Sequence, residues 1–132
     1  MVLAAPSPGT VLAVADKDDL GRRGEDEAAA YLTALGYRIV DRNWRCASGE
    51  IDIVALDGAQ LVVVEVKTRR SRAYGDPLEA VDDAKLTRLC VLAGAWRRAH
   101  RGVRARSTRI DLVGVLLPRN EQALVDHLRA AA

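Results

Sequence analysis

The sequence lacks the residues that usually build transition-metal sites and disulfide frameworks. It has only two cysteines and two histidines among its 132 residues. Neither Cys46 nor Cys90 has another cysteine or a histidine at metal-ligand spacing, which argues against a zinc site. We therefore expect two free thiols, buried or half-buried, in a cytoplasmic protein.

Long apolar runs are absent as well. No run approaches the roughly 20 residues that a membrane-spanning helix requires, so we expect no membrane partner. Prolines and a glycine interrupt the mildly apolar residues 1–15, and no basic segment precedes them, so we expect residues 1–18 to form a flexible tail. Residues 19–132 contain no repeat and are expected to form one globular domain.

Positive charge is concentrated in residues 67–109, although the net charge of the chain is only +2. This segment holds twelve Lys and Arg residues but four Asp and Glu residues. The asymmetry predicts a basic face for a polyanion, and hence a nucleic-acid partner, beside an acidic centre. A solvated, arginine-rich helix end explains the same composition, so charge alone leaves both interpretations open.

Hydrophobic periodicity predicts the element order α-β-β-β-α-β, followed by a last edge strand or short helix over residues 122–128. The predicted elements are a helix starting within 16–19 and ending near 35, a strand at 37–40, an irregular segment at 41–48, a hairpin with strands at 50–56 and 60–67, a helix at 77–100 and a strand at 109–117. This order is typical of an α/β fold with a mixed central β-sheet and flanking helices.

The predicted hairpin carries charged residues where buried strands normally carry apolar ones. Asp52 lies in its first strand, and Glu65 and Lys67 lie in its second. A buried charge is costly unless it is paired or binds a metal. An even-numbered loop around Asp57 and Gly58 places all three side chains on one face, together with Glu50 and Val54, whereas a three-residue loop separates them. Leu56 then lies opposite Ala59 in a two-residue loop or opposite Leu61 in a four-residue loop.

Two carboxylates on one face can share one Mg²⁺ ion, and the neighbouring lysine can orient the attacking water or stabilise charge on a phosphate. The alternative is a salt bridge from Lys67 to Glu65 or Asp52. Glu25 shares a face of the first helix with small apolar residues and can complete a metal site. The alternative for Glu25 is a first-turn acid that interacts with the helix dipole.

These residues resemble the core of the PD-(D/E)XK nuclease superfamily, which has a restriction-endonuclease-like fold. Asp52 corresponds to the first acid of the motif, although Ile51 replaces the usual proline before it, and Glu65 and Lys67 correspond to the E-x-K. Glu25 is similar to the helix acid of archaeal Holliday-junction resolvases. More closely, the chain resembles the YraN-type family of small bacterial endonuclease-like proteins, through segments 20–25, 31–32, 36–37, 42–45, 49–52, 64–69, 75–77, 80–81, 85 and 109–111.

The resemblance implies an Mg²⁺- or Mn²⁺-dependent endonuclease that hydrolyses structured or branched DNA in repair or recombination. It implies catalytic roles for Asp52, Glu65 and Lys67, and metal ligation by Glu25, Asp52 and Glu65. The role of Glu50 stays open between supporting the metal, contacting Lys67 or Arg45, and neither.

Four basic residues are candidates for contacts with nucleic-acid phosphates: Arg69, Arg70, Arg72 and Lys85. Exposure to solvent without a partner is the alternative for each of them. A non-catalytic nucleic-acid-binding module that keeps the fold is the alternative function. A homodimer also stays open, because related junction resolvases act as dimers.

Overall fold

A computed structural model describes residues 11–73 and 75–132 of the chain. Its elements are α1 (Val11–Ala34), β1 (Arg38–Cys46), β2 (Gly49–Asp57), β3 (Gln60–Arg69), a 3₁₀ helix (Pro77–Ala80), α2 (Asp83–Ala99), β4 (Ser107–Leu116) and β5 (Leu124–Leu128). The predicted α/β order is confirmed, and the segment left open at 122–128 forms a strand. No helix in the described part of the chain is long and apolar enough to cross a membrane.

The five strands form one mixed sheet in the order β1-β2-β3-β4-β5. All neighbouring strands are antiparallel except β3 and β4, which run parallel along ten paired residues. A parallel pair requires a long crossover connection, and here the 3₁₀ helix and α2 provide it. The second strand of the hairpin is therefore the central strand of the sheet.

One helix covers each face of the sheet. Helix α2 packs on one face through a cluster that includes Val54, Leu56, Leu61, Val63, Leu89, Leu92 and Trp96. Helix α1 packs on the other face through a cluster that includes Ala28, Leu32, Ile53, Val62, Val64 and Val113. Because both faces are covered, β3 and β4 are nearly continuous apolar runs, as strands buried on both sides should be.

The first helix is longer than predicted. It begins at Val11, whereas the sequence suggested a start at 16–19 after a tail spanning 1–18. Residues 11–18 of the predicted tail are therefore helical, and the rest of that prediction, at 1–10, lies outside the described residues. The two glycines at 21 and 24 do not delay the helix start, because packing on the sheet outweighs their modest helix propensity.

The second helix begins later than predicted. Pro77 starts the 3₁₀ helix, and α2 begins only at Asp83. Asp82 has an extended backbone, and its carboxylate accepts a hydrogen bond from the Lys85 N–H at 2.9 Å. This N-cap satisfies one of the free N–H groups of the first turn and thereby sets the helix start.

The irregular segment predicted at 41–48 is mostly strand. β1 continues to Cys46 and pairs with β2, with a register shift between Ile39 and Asp41. β1 is an edge strand with alternately half-buried and exposed residues, so it accommodates polar side chains that would be costly in a central strand. The polar composition of this segment therefore led to a prediction of irregular structure where the chain forms an edge strand.

The two cysteines are both free, but only one is placed as expected. Cys46 is half-buried and packs against the cluster under α2. Cys90 is exposed on α2, so the expectation of a buried or half-buried thiol is wrong at this position. Leu89 and Leu92 occupy the buried face of that helix turn and leave position 90 on its outer face.

Helix α1 approaches β3 so closely at Gly24 that no side chain fits there. A Cβ atom at this position would lie 1.9 Å from Thr68 Oγ1 and 2.8 Å from Thr68 Cβ. Rotation of the threonine cannot relieve the second contact, because Cβ is fixed to the strand backbone. Gly24 and Thr68 therefore set the distance between the helix that carries Glu25 and the strand that carries Lys67.

Replacing Gly24 with alanine should destabilise the protein by roughly 2 kcal/mol, because the added methyl group forces the helix away from the strand. Gly21→Ala is the matched control, since nothing lies within 4 Å of a Cβ atom at Gly21. That control should be neutral or stabilising by up to about 1 kcal/mol, as alanine is the better helix former. Urea denaturation measures both variants, and a Gly24→Ala protein as stable as the Gly21→Ala control would contradict the steric argument.

Candidate functional site

The hairpin loop is even-numbered, as convergence of the charged residues requires. It consists of two residues, Gly58 and Ala59, because Asp57 pairs with Gln60 and Leu56 pairs with Leu61. The loop has the two residues of one alternative, but it lies one residue later than a turn at Asp57 and Gly58 would. Its register, with Leu56 opposite Leu61, is the one expected for the four-residue loop. Continuing this register places position 52 of β2 opposite position 65 of β3, which are the two acids singled out from the sequence.

The two strands stop pairing where the first acid lies. The last pair of the β2–β3 ladder is Ile53 with Val64, and beyond it Asp52 Oδ2 accepts a hydrogen bond from the Val66 N–H at 2.8 Å. The carboxylate thus replaces a backbone acceptor at the point where the strands separate. Side-chain alternation is interrupted at the same place, since Ile51 packs under α2 together with Val54.

Glu65 is the most deeply buried acid of the hairpin, with a side chain that is 6% exposed. Its Oε2 atom lies 3.5 Å from Lys67 Nζ and 3.4 Å from Lys85 Nζ. Lys67 follows two residues later on the same face of β3, whereas Lys85 reaches the site from α2. Two ammonium groups thus compensate one buried carboxylate, and the ion pair between Lys67 and Glu65 that the sequence left open is formed.

Asp52 has the most strongly perturbed acid–base behaviour at the site. Burial raises its pKa from 3.8 to about 7, and the negative charge of Glu65 adds to this rise. The hydrogen bond from the Val66 N–H opposes the shift, and the charges of Glu25 and Glu50 reinforce it. A carboxyl group in this position holds a proton near neutral pH that a divalent cation can displace.

Glu25 approaches the same acids from helix α1. Its side chain is 19% exposed, and its Oε1 lies 3.9 Å from Arg42 Nη2. Burial raises the pKa of Glu25, although Asn43 and Arg42 lower it in part. Because α1 begins at Val11, Glu25 lies well beyond the first turn, so a first-turn interaction with the helix dipole is not its role.

Glu50 makes one of the contacts that the sequence left open. Its Oε2 accepts a hydrogen bond from Arg45 Nε at 2.7 Å, and the two residues are cross-strand neighbours. The expectation that Glu50 shares a face with Val54 is wrong, because Ile51 occupies the α2 face. Glu50 instead lines an open cleft, and Glu25 lines the same cleft.

The acids offer a divalent cation a pair of ligands, Asp52 and Glu65, to which Glu25 is at most an accessory. Within residues 11–73 and 75–132, no three His, Cys, Asp or Glu side chains are grouped closely enough to hold a metal ion. Glu25, Asp52 and Glu65 therefore do not form a ready three-ligand cage. Mg²⁺ is usually bound by one or two carboxylates, with water and substrate phosphates completing its shell. Asp52 and Glu65, two oxygen donors in register at the end of the hairpin, match that requirement.

Two of the candidate phosphate-binding residues lie in the same cleft as Glu25. Arg69 and Arg70 line a cleft of about 390 Å³ that also contains Glu25, Val66 and Thr68. Arg69 donates to the Thr68 carbonyl at 3.0 Å, and Arg70 donates to the Leu117 carbonyl at 3.3 Å. Both guanidinium groups are thus positioned at the edge of this cleft.

The other two candidates are placed differently. Arg72 Nη2 lies 3.6 Å from Asp126 Oδ2 of the edge strand β5, and both side chains are about half-exposed. Lys85 is not separate from the acids, since it contacts Glu65 directly. The sequence suggested a peripheral phosphate contact for Lys85, and the structure places it within the acidic site.

A second cluster of charges was only partly visible in the sequence. Asp111 is fully buried and pairs with Arg109. It also lies 2.7 Å from His127 Nε2 and accepts hydrogen bonds from Tyr37 and the Ala130 N–H. Burial would raise the pKa of Asp111, but the hydrogen bond from Arg109 and the other donors lower it. A carboxylate with so many donors is a structural anchor of β4 and offers little to a ligand.

Both histidines have partners within the described residues. His127 contacts Asp111, and its ring also packs edge-on against Tyr31. His100 stacks on Trp96 with ring centroids 4.0 Å apart, and its Nδ1 lies 2.8 Å from the Trp96 carbonyl oxygen. Trp96 itself is buried and donates to Asp41. Sequence separation hid these contacts, since each joins residues on different elements or at a helix end.

Comparison with known proteins identifies one family. A model described as uncharacterised protein family UPF0102 matches residues 24–115. The chain is 61% identical over 113 residues to a UPF0102 protein of Arthrobacter sp. (strain FB24), which covers 86% of this chain and 95% of that protein. It is 55% identical over 113 residues to one of Renibacterium salmoninarum, with coverage of 86% and 95%. The corresponding protein of Clavibacter michiganensis is 54% identical over 115 residues, with coverage of 87% and 97%.

Removing the charge at position 52 should change how stability depends on pH. The folded-state pKa of Asp52, about 7, lies above its ordinary value of 3.8, so the folded protein binds more protons between these limits. The contribution of Asp52 to stability is therefore lost as pH rises through about 7. Asp52→Asn lacks this effect and should gain stability relative to wild type as pH rises from about 4 to about 7, the window of the shift.

Thermal melting at low ionic strength with a chelator present measures this difference. Asp57→Asn is an unsuitable control because that residue contacts Arg109, so the exposed Asp83→Asn serves instead. Parallel melting-temperature profiles for wild type and Asp52→Asn would refute the shift.

Proposed function

We propose that this chain, which belongs to the uncharacterised protein family UPF0102, is a metal-dependent endonuclease that hydrolyses phosphodiester bonds in structured or branched DNA. The observation that carries the proposal is the convergence at the end of the hairpin. Asp52 and Glu65 lie just beyond the last pair of the β2–β3 ladder, Ile53 with Val64, and Lys67 Nζ lies 3.5 Å from Glu65 Oε2. Charged groups are costly to bury in strands such as β2 and β3, and phosphodiester hydrolysis gives a reason for their presence there.

The fold supports the same proposal less specifically. A mixed sheet whose central hairpin carries an acid, E-x-K and an acid on a preceding helix agrees with the resemblance to the PD-(D/E)XK superfamily. We therefore propose membership of that superfamily, with a role in DNA repair or recombination in the cytoplasm. Arg69 and Arg70, at the cleft beside Glu25, are suited to binding phosphates on either side of the scissile bond.

Each site residue has a distinct part in the proposed reaction. Asp52 and Glu65 would hold Mg²⁺ or Mn²⁺, and Glu25 would act as an accessory ligand. When bound, the cation supplies a Lewis acid and lowers the pKa of a bound water. Lys67 would orient the attacking water through its N–H donors and stabilise the negative charge that develops on the phosphate. Because the pKa of Asp52 is raised to about 7, its carboxyl group is partly protonated near neutral pH, and metal binding should release a proton from it.

A non-catalytic nucleic-acid-binding module is the second candidate. The observation that favours it is that the acids are already paired, since Glu65 contacts two lysines and Glu50 contacts Arg45. In that case the charges stabilise the fold, and the arginines at the cleft carry the binding. DNA affinity would then be independent of the acids and would fall on replacing Arg69 and Arg70.

Cleavage of DNA forks, flaps and four-way junctions, with RNA in parallel, tests the proposal directly. Wild-type protein should cut a structured DNA when Mg²⁺ is present and should not cut when a chelator is added. Lys67→Ala should lower the single-turnover rate by roughly 100-fold or more, because water positioning and charge stabilisation are both lost. Glu27→Gln, an exposed acid of α1, is the matched control and should cut at the wild-type rate.

Metal binding and DNA binding then separate the two candidates. Calorimetry should show Mg²⁺ binding that disappears in Asp52→Ala and Glu65→Ala. The binding module would instead be established if the wild type neither cleaves DNA nor binds metal at millimolar concentration. DNA affinity should then fall in Arg69→Ala and Arg70→Ala but not in the control Arg119→Ala, which changes an exposed residue.

A further inference from the structure

The chain uses lysine sparingly, and its lysines are not randomly placed. Only three of its twenty Lys and Arg residues are lysines. Two of them, Lys67 and Lys85, lie within 3.5 Å of the same atom, Glu65 Oε2. They come from different elements, since Lys67 is on β3 and Lys85 is on α2.

The choice of lysine has a physical meaning here. Arginine binds carboxylates through a planar fork that occupies both oxygens and is pre-organised for a permanent ion pair. Lysine is a compact charge on a flexible stem, which is easily moved from one partner to another. Two ammonium groups at one oxygen therefore suit a contact that must be exchanged during function.

We propose that Lys85 is a second lysine of the active site, which competes with the metal ion for Glu65. In the metal-free protein Lys85 and Lys67 together hold the Glu65 carboxylate. Once a divalent cation binds that carboxylate, Lys85 leaves it and contacts a phosphate of the substrate. This inference rests on the metal site in the proposed function and assigns Lys85 a positioning role within it.

Burial is consistent with such an exchange. The Glu65 side chain is 6% exposed, whereas those of Lys67 and Lys85 are 30% and 31% exposed. The acid is thus held in the sheet, while the ammonium groups lie near the surface and can move to solvent or substrate. An Mg²⁺ ion must approach a carboxylate oxygen to about 2.1 Å, and two positive charges already beside that oxygen oppose its approach.

The backbone at Lys85 is held in place by a hydrogen bond, whereas its side chain is a flexible stem. The Lys85 N–H donates to the N-cap Asp82 at 2.9 Å, which holds the first turn of α2 in place. The side chain therefore starts from a defined position beside β3. A rigid attachment with a flexible stem is what a residue needs in order to alternate between an acid and a nearby phosphate.

Lys85→Met removes the charge and keeps the side-chain length, so it isolates the competition. The metal-free, DNA-free variant should bind Mg²⁺ about tenfold more tightly than wild type in calorimetry, because a repelling charge has been removed. At saturating Mg²⁺ the same variant should cleave DNA more slowly, because the phosphate contact is lost. Tighter metal binding combined with slower cleavage is a signature that a merely structural lysine would not produce.

Two further variants control for charge and for folding. Lys85→Arg keeps the charge and should bind Mg²⁺ no more tightly than wild type, because arginine holds a carboxylate at least as firmly as lysine does. Arg88→Met removes a charge from an exposed position one turn along the same helix and should leave both metal affinity and cleavage unchanged. Circular dichroism melting confirms that each variant is folded before its affinity is compared.

The outcomes distinguish this inference from the proposed function. Equal Mg²⁺ affinity in wild type and Lys85→Met, with cleavage intact, overturns the role of Lys85 and leaves the nuclease standing. Tighter binding in Lys85→Met without cleavage by any variant supports the competition and counts against the nuclease. No metal binding in either protein overturns both.

Discussion

A carboxylate buried in the central strand is the constraint around which the rest of the site is arranged. Glu65 lies in a strand that is paired on both sides and covered on both faces, where an uncompensated charge would cost several kcal/mol. Lys67 and Lys85 supply that compensation from two elements. Burial and the negative charge of Glu65 raise the pKa of the neighbouring Asp52 to about 7. The two acids of the hairpin thus lie in different electrostatic surroundings, since Glu65 contacts two ammonium groups.

The position of helix α1 depends on a contact that carries no charge. Gly24 rests against Thr68, and each of these residues is next in sequence to a candidate site residue, Glu25 and Lys67. The steric fit of helix on strand therefore also sets the relative placement of an acid and a base. The close packing of Gly24 on Thr68 therefore also positions the two site residues beside them. This explains why a glycine is used within a long helix despite its low helix propensity.

Strand periodicity predicted the hairpin, because side-chain alternation is a local property, and it predicted the convergence of Asp52, Glu65 and Lys67 on condition of an even-numbered loop. It failed at Glu50, beyond the end of the β2–β3 ladder at Ile53, where alternation is interrupted. It also missed the contact of Lys85 with Glu65, since that contact depends on how α2 crosses the sheet. The length of β1 was underestimated because an edge strand tolerates polar residues. The start of α2 was predicted at Pro77, too early, because the N-cap at Asp82 sets the helix start and the proline begins only the 3₁₀ helix.

The parallel pairing of β3 with β4 has a consequence for the order in which the site assembles. Strands β1 to β3 are joined by short turns, so the register that opposes the two acids needs only local contacts. Gln60 of β3 pairs with Ser107 of β4, and closing that distant contact is what docks α2 on the sheet. Because non-local pairings form slowly, we expect the acids to come together before their second lysine arrives. The charge balance of this protein is therefore a property of the finished topology and is absent from the hairpin alone.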